Sequence, residues 1–277
     1  MKVEFIAVPW RGAPVQIEHA WIGERDGAAP LLIFLHEGLG SLAMWKDFPG
    51  QLCAAAGCRG LVYSRPGYGR STAPAAEAAW DLDFMHRQAH ELLPALLQAL
   101  AIDTTRQPPW LLGHSDGASI ALLHAARFAD RVAGAIVLAP HIVVEDLALS
   151  SIAAARTAYK ETELKQRLAK YHDDAERVFR RWNDIWLHPP FKAWSIEQEI
   201  SAIRCPLLAV QGLDDEYGTL EQIRGLAHRV PQTELLELAD CRHSPHRDQP
   251  EALMRACVEF LQRQLASQDA ASACRQQ

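Results

Sequence analysis

The chain has 277 residues, of which 49% are hydrophobic and 22% are charged, and its net charge is -6. These values fit one large globular α/β domain with room for an inserted subdomain. Because no long basic run is present, we expect no nucleic-acid partner. The N-terminal sequence lacks the apolar core of a signal peptide, and no run approaches the roughly 18 apolar residues of a membrane helix. We therefore expect a cytoplasmic protein without a membrane partner, and the oligomeric state stays open.

The spacing of cysteine and histidine predicts no metal site. His86 and His90 are four residues apart on a predicted helix, but Arg87 stands where a metalloprotease motif has glutamate, so we expect surface or packing histidines. The cysteines lie in separate elements without metal-type pairing, and in a reducing compartment we expect free thiols. They are Cys53, Cys58, Cys205, Cys241, Cys257 and Cys274.

The first part of the chain shows strand patterns followed by one long helical pattern. Leu31–Leu35 is a continuous apolar run, which is typical of a strand that is buried on both faces. The predicted elements are strands at 3–9, 15–22, 31–35 and 60–64, with a turn at 11–14, and a helix over 80–101 that Pro94 kinks.

The rest of the chain alternates between strands and helices except in one segment. Residues 141–203 carry charged amphipathic helices, among them Glu161–Tyr171 and Ala175–Leu187, and no strand. The other predicted elements are strands at 110–112, 132–139, 206–211 and 233–238, and helices at 116–129, around 226 and at 250–265.

This order of elements predicts the fold class. Strands that alternate with helices favour an α/β fold with a mostly parallel central sheet that is flanked by helices. We expect a core domain of residues 1–140 and 204–265, with residues 141–203 inserted as a helical cap over the sheet. Residues 266–277 are small and polar, and we expect a frayed C-terminal tail.

The most informative motif is G-x-S-x-G at Gly113–Gly117, between an apolar strand and an Ala-rich helix. In this context a serine lies on a strained strand-to-helix turn with its hydroxyl exposed. Glycine at both ends gives the crowded turn room. The motif alone arises often by chance, so the strand before it and the helix after it carry the prediction that Ser115 is a nucleophile.

Other chemistry-bearing residues follow predicted strands. They are His36–Gly40, the pair Asp214 and Asp215, and His243. Because ligands bind at the carboxyl ends of parallel strands, these residues can converge on Ser115.

Together these segments resemble the α/β-hydrolase superfamily over about residues 3–265. The order of nucleophile, acid and histidine is more specific than any single motif. The resemblance implies an α/β-hydrolase fold with a helical cap. It rests on Phe34–Ser41, Ser64–Ser71, Gly113–Gly117, Gly212–Asp215 and His243–His246.

The resemblance also implies a catalytic triad. Ser115 is the implied nucleophile and His243 the implied base, with His246 as the alternative three residues on. Asp215 stands at the position of the triad acid, and the sequence leaves the adjacent Asp214 open.

The oxyanion hole is implied by the same resemblance. Its donors would be the backbone N–H of Asp116, at a helix N-terminus, and that of Gly38. Glu37 departs from the pattern, because glycine is common at that position, and this bears on the loop backbone next to Gly38.

Four side chains are candidates for substrate binding. Asp116 either stabilises the helix start or pairs with a cationic substrate group, and Glu37 would add negative charge nearby. The Gly-His-Ser-Asp-Gly sequence is similar to that of biphenyl-hydrolase-like esterases, which cleave amino-acid esters. Trp182 and Trp186 share a helix face that either packs on the core domain or forms an aromatic wall for an acyl or aryl group.

The sequence thus favours a serine hydrolase without a cofactor or metal, acting on a small-molecule substrate. The bond would be a carboxylic ester, or else a thioester, lactone or activated amide, cleaved through an acyl-enzyme on Ser115. Two alternatives keep the fold: a carbon–carbon bond hydrolase of ring-cleavage products, and a ligand receptor with slow turnover.

Overall fold

An eight-stranded sheet forms the centre of the fold in the computed structural model, which describes residues 2–73 and 81–275 and side chains as far as residue 268. The strand order is β1-β2-β4-β3-β5-β6-β7-β8. The pairs of β2 with β1 and with β4 are antiparallel, and the remaining pairs are parallel. The strands are β1 (Val3–Trp10), β2 (Ala13–Ile22), β3 (Leu31–Leu35), β4 (Arg59–Tyr63), β5 (Trp110–His114), β6 (Gly134–Leu138), β7 (Leu207–Gly212) and β8 (Thr233–Leu238). The predicted α/β fold with a mostly parallel sheet is confirmed.

Helices cover both faces of this sheet. They are α1 (Phe48–Ala56), α2 (Phe84–Arg87), α3 (Leu93–Ala99), α4 (Asp116–Arg127), α5 (Asp146–Glu161), α6 (Leu164–Leu168), α7 (Ala175–Trp186), α8 (Glu221–Arg229), α9 (Pro245–Asp248) and α10 (Pro250–Arg275). Within the part of the chain that the structure describes, none of the helices is both long and apolar enough to span a bilayer.

Several helices differ from the sequence-based prediction. The helix expected over 80–101 is broken by a π-helical turn at Gln88–Leu92. The break lies just before Pro94, because the proline nitrogen has no hydrogen to donate to the preceding turn. Residue 80 lies outside the described residues. The helix expected at Glu161–Tyr171 is only the short α6, because the backbone is extended at Thr162, where the longer α5 has ended.

The last helix is longer than the sequence predicts. The backbone of α10 continues through Arg275, where the sequence predicts a frayed tail from residue 266. The segment is rich in alanine and contains no glycine or proline, so its helix propensity is high. The side chains of Ser267 and Gln268 hydrogen-bond the carbonyls of Arg263 and Ala133, which ties the start of this segment to the preceding turn and to the core.

The core consists of two apolar clusters, one on each face of the sheet. One cluster joins β3, β4 and β5 residues to α1 and α10. The other contains residues of α3 and α4 together with Ile152, Phe179, Trp182 and Trp186 from the segment 141–203. This segment, the cap, therefore shares a continuous apolar cluster with the face of the sheet on which it lies.

Backbone packing is closest where β5 passes into α4. A Cβ atom on Gly117 would overlap the carbonyl of Leu35 in β3, and one on Gly113 would overlap the Gly117 backbone. Both glycines are therefore required by contact with main-chain atoms, which cannot rotate away as a side chain would.

We expect Gly117→Ala to destabilise the protein by about 3 kcal/mol or to prevent folding, because main-chain atoms of β3 and α4 would have to move apart. Gly50→Ala is the matched control, since a Cβ on this helical glycine of α1 meets nothing within 4 Å. The control should be neutral or more stable by about 0.5–1 kcal/mol. Denaturant unfolding measures both, and equal stabilities would contradict the packing argument.

Candidate active site

Ser115 lies on the sharp turn between β5 and α4. Its backbone angles are φ 52° and ψ -120°, in a region that non-glycine residues rarely adopt. Three hydrogen bonds fix this conformation: Ser115 N donates to Leu138 O at 2.9 Å, and its own carbonyl accepts from Ala118 N and Ser119 N at 2.8 and 3.1 Å. The strained serine is thus held by β6 on one side and by the first turn of α4 on the other.

Ser115, His243 and Asp215 form a chain of hydrogen bonds. The Nε2 atom of His243 lies 2.9 Å from Ser115 Oγ, and Nδ1 lies 2.8 and 3.0 Å from the two Asp215 carboxylate oxygens. A carboxylate only accepts, so Nδ1 carries the proton, and Nε2 of the neutral ring accepts from the serine hydroxyl. This arrangement can take a proton from the hydroxyl and stabilise the imidazolium that results.

The Asp215 carboxylate is held from several sides. It accepts hydrogen bonds from Tyr217 N at 2.8 Å and from Gln211 Nε2 at 3.2 Å. Burial raises the pKa of this carboxyl, but the interactions with His243, the hydrogen bond from Tyr217 N and the nearby His141 together outweigh burial, and the net pKa lies below the usual value. The neighbouring Asp214 is exposed to solvent. Of the two adjacent aspartates, the structure therefore brings Asp215 to His243.

The alternative histidine, His246, lies in a different environment. Its ring is 5.2 Å from that of Trp45 and 5.1 Å from that of His114, centroid to centroid. Burial lowers the pKa of His246 to about 3, so the ring is neutral. The hydroxyl of Ser115 is instead bonded to His243.

The loop after β3 is fixed by His36 and Arg65. The buried His36 ring donates from Nδ1 to Glu37 O at 2.8 Å and accepts at Nε2 from Arg65 N at 3.0 Å. Arg65 Nη2 also donates to Glu37 O at 2.8 Å. These bonds set the backbone of residues 36–40, which we call the oxyanion loop because it contains Gly38, the second expected oxyanion donor.

The cap reaches both residues whose backbone N–H groups are expected to form the oxyanion hole. A Cβ on Gly38 would overlap the indole of Trp182, so glycine lets this ring lie directly on the loop. Trp186 Nε1 donates to Asp116 Oδ1 at 3.2 Å. The two tryptophans thus project from one face of α7 onto the two sides of the site, as their spacing predicts.

The two carboxylates that we considered for a cationic substrate group have partners within the protein. Arg65 Nη1 is 3.7 Å from Asp116 Oδ2, and both side chains are buried. Burial raises the pKa of Asp116, and Arg65 and Trp186 act against that rise. Glu37 Oε2 is 3.6 Å from His114 Nδ1. A substrate cation would have to compete with these partners for either carboxylate.

The structure also brings to the site a residue that the sequence analysis missed. His141 follows β6, and its ring centroid is 5.8 Å from that of His243 and 4.9 Å from that of Trp186. Its main chain is held by Ser119 Oγ, which donates to His141 O and accepts from His141 N. The signal was available, because His141 stands just beyond the carboxyl end of a predicted parallel strand.

Other features lie away from Ser115. His86 Nε2 is 3.3 Å from Glu199 Oε1, and His90 Nε2 is 3.4 Å from Leu123 O. A groove of about 720 Å³ runs between α1 and α10, and its lining includes Trp45, Phe48, Met254, Val258 and His246. The residues that line this groove include no serine or cysteine, and Ser115 is not among them.

Comparison with known proteins shows the family of this chain. Residues 32–256 match the model of the alpha/beta hydrolase family. The chain belongs to that family, and the expected family and fold are confirmed.

Solved structures of the same fold include several enzymes. A carboxylesterase from the thaumarchaeon Nitrososphaera gargenis is 19% identical, with a TM-score of 0.74 over 95% of this chain and 100% of that one. The enol-lactonase of Burkholderia xenovorans LB400 is 24% identical, with a TM-score of 0.67 over 93% and 99%. An esterase from Thermogutta terrifontis is 20% identical, with a TM-score of 0.68 over 95% and 99%. At these identities the likeness shows the fold.

We expect Trp186→Phe to destabilise the protein by about 1–3 kcal/mol more than Trp194→Phe, because only the first change removes a hydrogen bond from a buried carboxylate. Trp194 is a matched control: it is also a buried cap tryptophan, and its Nε1 has no partner within the described residues. Thermal or denaturant unfolding of the two variants gives the difference. Equal losses would show that the Asp116 contact contributes nothing measurable.

Proposed function

We propose that this protein is a serine hydrolase that cleaves a small carboxylic ester or lactone through an acyl-enzyme on Ser115. The observation that carries the proposal is the hydrogen-bonded chain Ser115–His243–Asp215 on a strained strand-to-helix turn. A serine hydroxyl is a weak nucleophile until a base takes its proton during attack, and this chain supplies that base.

In the first half of the proposed reaction, His243 Nε2 takes the Ser115 proton while Oγ attacks the substrate carbonyl. The negative charge that develops on the carbonyl oxygen is stabilised by the N–H groups of Asp116 and Gly38 and by the N-terminus of α4. His243 then protonates the leaving alcohol as the carbon–oxygen bond breaks. Asp215 holds the ring in the required tautomer and stabilises the imidazolium.

In the second half, a water molecule gives its proton to His243 and attacks the acyl carbonyl. The second tetrahedral intermediate collapses, the Ser115 oxygen takes back a proton from His243, and the carboxylic acid is released. Every proton that leaves Ser115 or water therefore passes through the same ring nitrogen. This chemistry needs no metal or cofactor.

The proposed substrate class follows from what surrounds Ser115. Trp182 and Trp186 lie on the oxyanion loop and on Asp116, where they would form an aromatic wall for an acyl or aryl group. The named activities of the structural neighbours, carboxylesterase and enol-lactonase, are consistent with ester and lactone substrates. A panel of acyl p-nitrophenyl esters, aminoacyl esters and lactones would define the preference.

Ser115→Ala is expected to abolish covalent labelling by a fluorophosphonate probe, because the probe reacts with an activated serine hydroxyl. The control is Ser150→Ala, which changes an exposed cap serine whose hydroxyl donates to Asp146 O. Gel fluorescence and intact mass measure the labelling. If the Ser115 variant is labelled as fast as the wild-type protein, the proposed nucleophile is wrong.

Asp215→Asn is expected to lower kcat for the best ester of the panel by about 10³- to 10⁴-fold, because the amide no longer enforces the reactive tautomer of His243. Asp214→Asn is the matched control, one residue away and exposed, and should stay within about threefold of the wild-type value. Steady-state kinetics decides between them. The opposite ranking would assign the acid role to Asp214.

A further inference from the structure

His114, the residue before Ser115, contacts the main chain of His243. Its Nε2 atom is 2.7 Å from the carbonyl oxygen of His243, 129 positions along the chain. A carbonyl only accepts, so Nε2 is the donor. The His114 side chain is 2% exposed, which places this bond inside the protein, where an unpaired carbonyl would be costly.

The other nitrogen of His114 faces the oxyanion loop. Nδ1 is 3.6 Å from Glu37 Oε2, and the Glu37 side chain folds over Gly40, where a Cβ would overlap its carboxylate. Burial raises the pKa of Glu37, but the nearby rings of His114, His36 and His246 outweigh burial, and the net pKa lies well below the usual value. Glu37 therefore carries a negative charge beside this ring.

The His243 main chain is held on its other side as well. Its N–H donates to Glu216 Oε2 at 3.2 Å, and its side chain is bonded to Asp215 and Ser115. His114 thus donates a side-chain hydrogen bond to the carbonyl of His243, which lies in the loop after β8. This loop lies beyond the last paired residue of β8, Leu238.

We propose that His114 is a positioning residue: together with Glu37 it ties the loop that carries His243 to the oxyanion loop, and so sets the distance from the imidazole to Ser115. This inference rests on the proposed hydrolase function and adds residues that act through His243. A misplacement of about 1 Å at a reacting group can cost on the order of 10²-fold in rate.

Three variants test the proposal. His114→Met removes the donor and keeps an unbranched side chain of similar length; we expect kcat to fall about 10- to 100-fold, with KM within about threefold, and the fluorophosphonate labelling rate to fall in parallel. His114→Gln retains an N–H donor near the position of Nε2, and should recover kcat to within about fivefold of wild type. Glu37→Gln should lower kcat about 3- to 10-fold, since it weakens only the outer contact.

A matched control separates positioning from stability. His124 is also buried and bonds a carbonyl at 2.7 Å, from Nδ1 to Ala89 O, but it lies in α4 away from His243. His124→Met should lower the melting temperature about as much as His114→Met and leave kcat within about twofold. If His114→Met fails to fold, His114→Asn takes its place with the same expected loss, because its amide is too short to reach the carbonyl.

Two results would overturn the inference: wild-type kcat and labelling rate in the folded His114→Met or His114→Asn protein, or equal losses of kcat in the His114 and His124 variants. A wild-type protein that neither labels nor hydrolyses any ester or lactone would instead refute the proposed function. The two failures are therefore distinguishable.

Discussion

The strained backbone at Ser115 depends on main-chain contacts that leave no room for a side chain. Gly117 lies against the carbonyl of Leu35, and Gly113 lies against the backbone of Gly117. Relaxing φ at Ser115 would require β3, β5 and α4 to separate, and those elements form the centre of the apolar core. The cost of the strain, of order 1–3 kcal/mol, is thus met by packing that cannot adjust locally.

Beside this turn the protein keeps a buried carboxylate close to where an oxyanion would form. An unpaired charge on Asp116 would oppose the developing negative charge on a substrate carbonyl oxygen. Arg65 lies 3.7 Å from that carboxylate and Trp186 donates to it, so its field is partly compensated from within the protein. In the proposed mechanism, the backbone N–H of Asp116 can then stabilise the oxyanion together with the dipole of α4.

The sequence was sufficient for the parts of the fold that depend on local pattern. The apolar run Leu31–Leu35 is a strand with the predicted bounds, because continuous hydrophobicity indicates burial on both faces of a sheet. The edge strand Thr233–Leu238 also has the predicted bounds, although two of its six residues are glutamates and most of it is only partly buried or exposed. The sequence predicts one helix over Glu161–Tyr171, whereas the structure has a break at Thr162, because charged amphipathic periodicity continues across the boundary between α5 and α6. The contacts of Asp116 with Arg65 and of His114 with His243 cannot be predicted from sequence periodicity. These residues are far apart in the chain, and only the topology of the sheet brings them together.

The cap contributes both to the apolar core and to the hydrogen bonding of a buried carboxylate next to Ser115. Trp186 belongs to the apolar cluster under the cap and also donates to Asp116, so a displacement of α7 would expose apolar surface and remove a hydrogen bond from a buried carboxylate together. In the proposed hydrolase, a bulky substrate that moved α7 would cause both losses, whereas a substrate that fits beneath Trp182 and Trp186 would cause neither. The packing of α7 therefore supports the proposal that the substrate is small, independently of any polar contact to it.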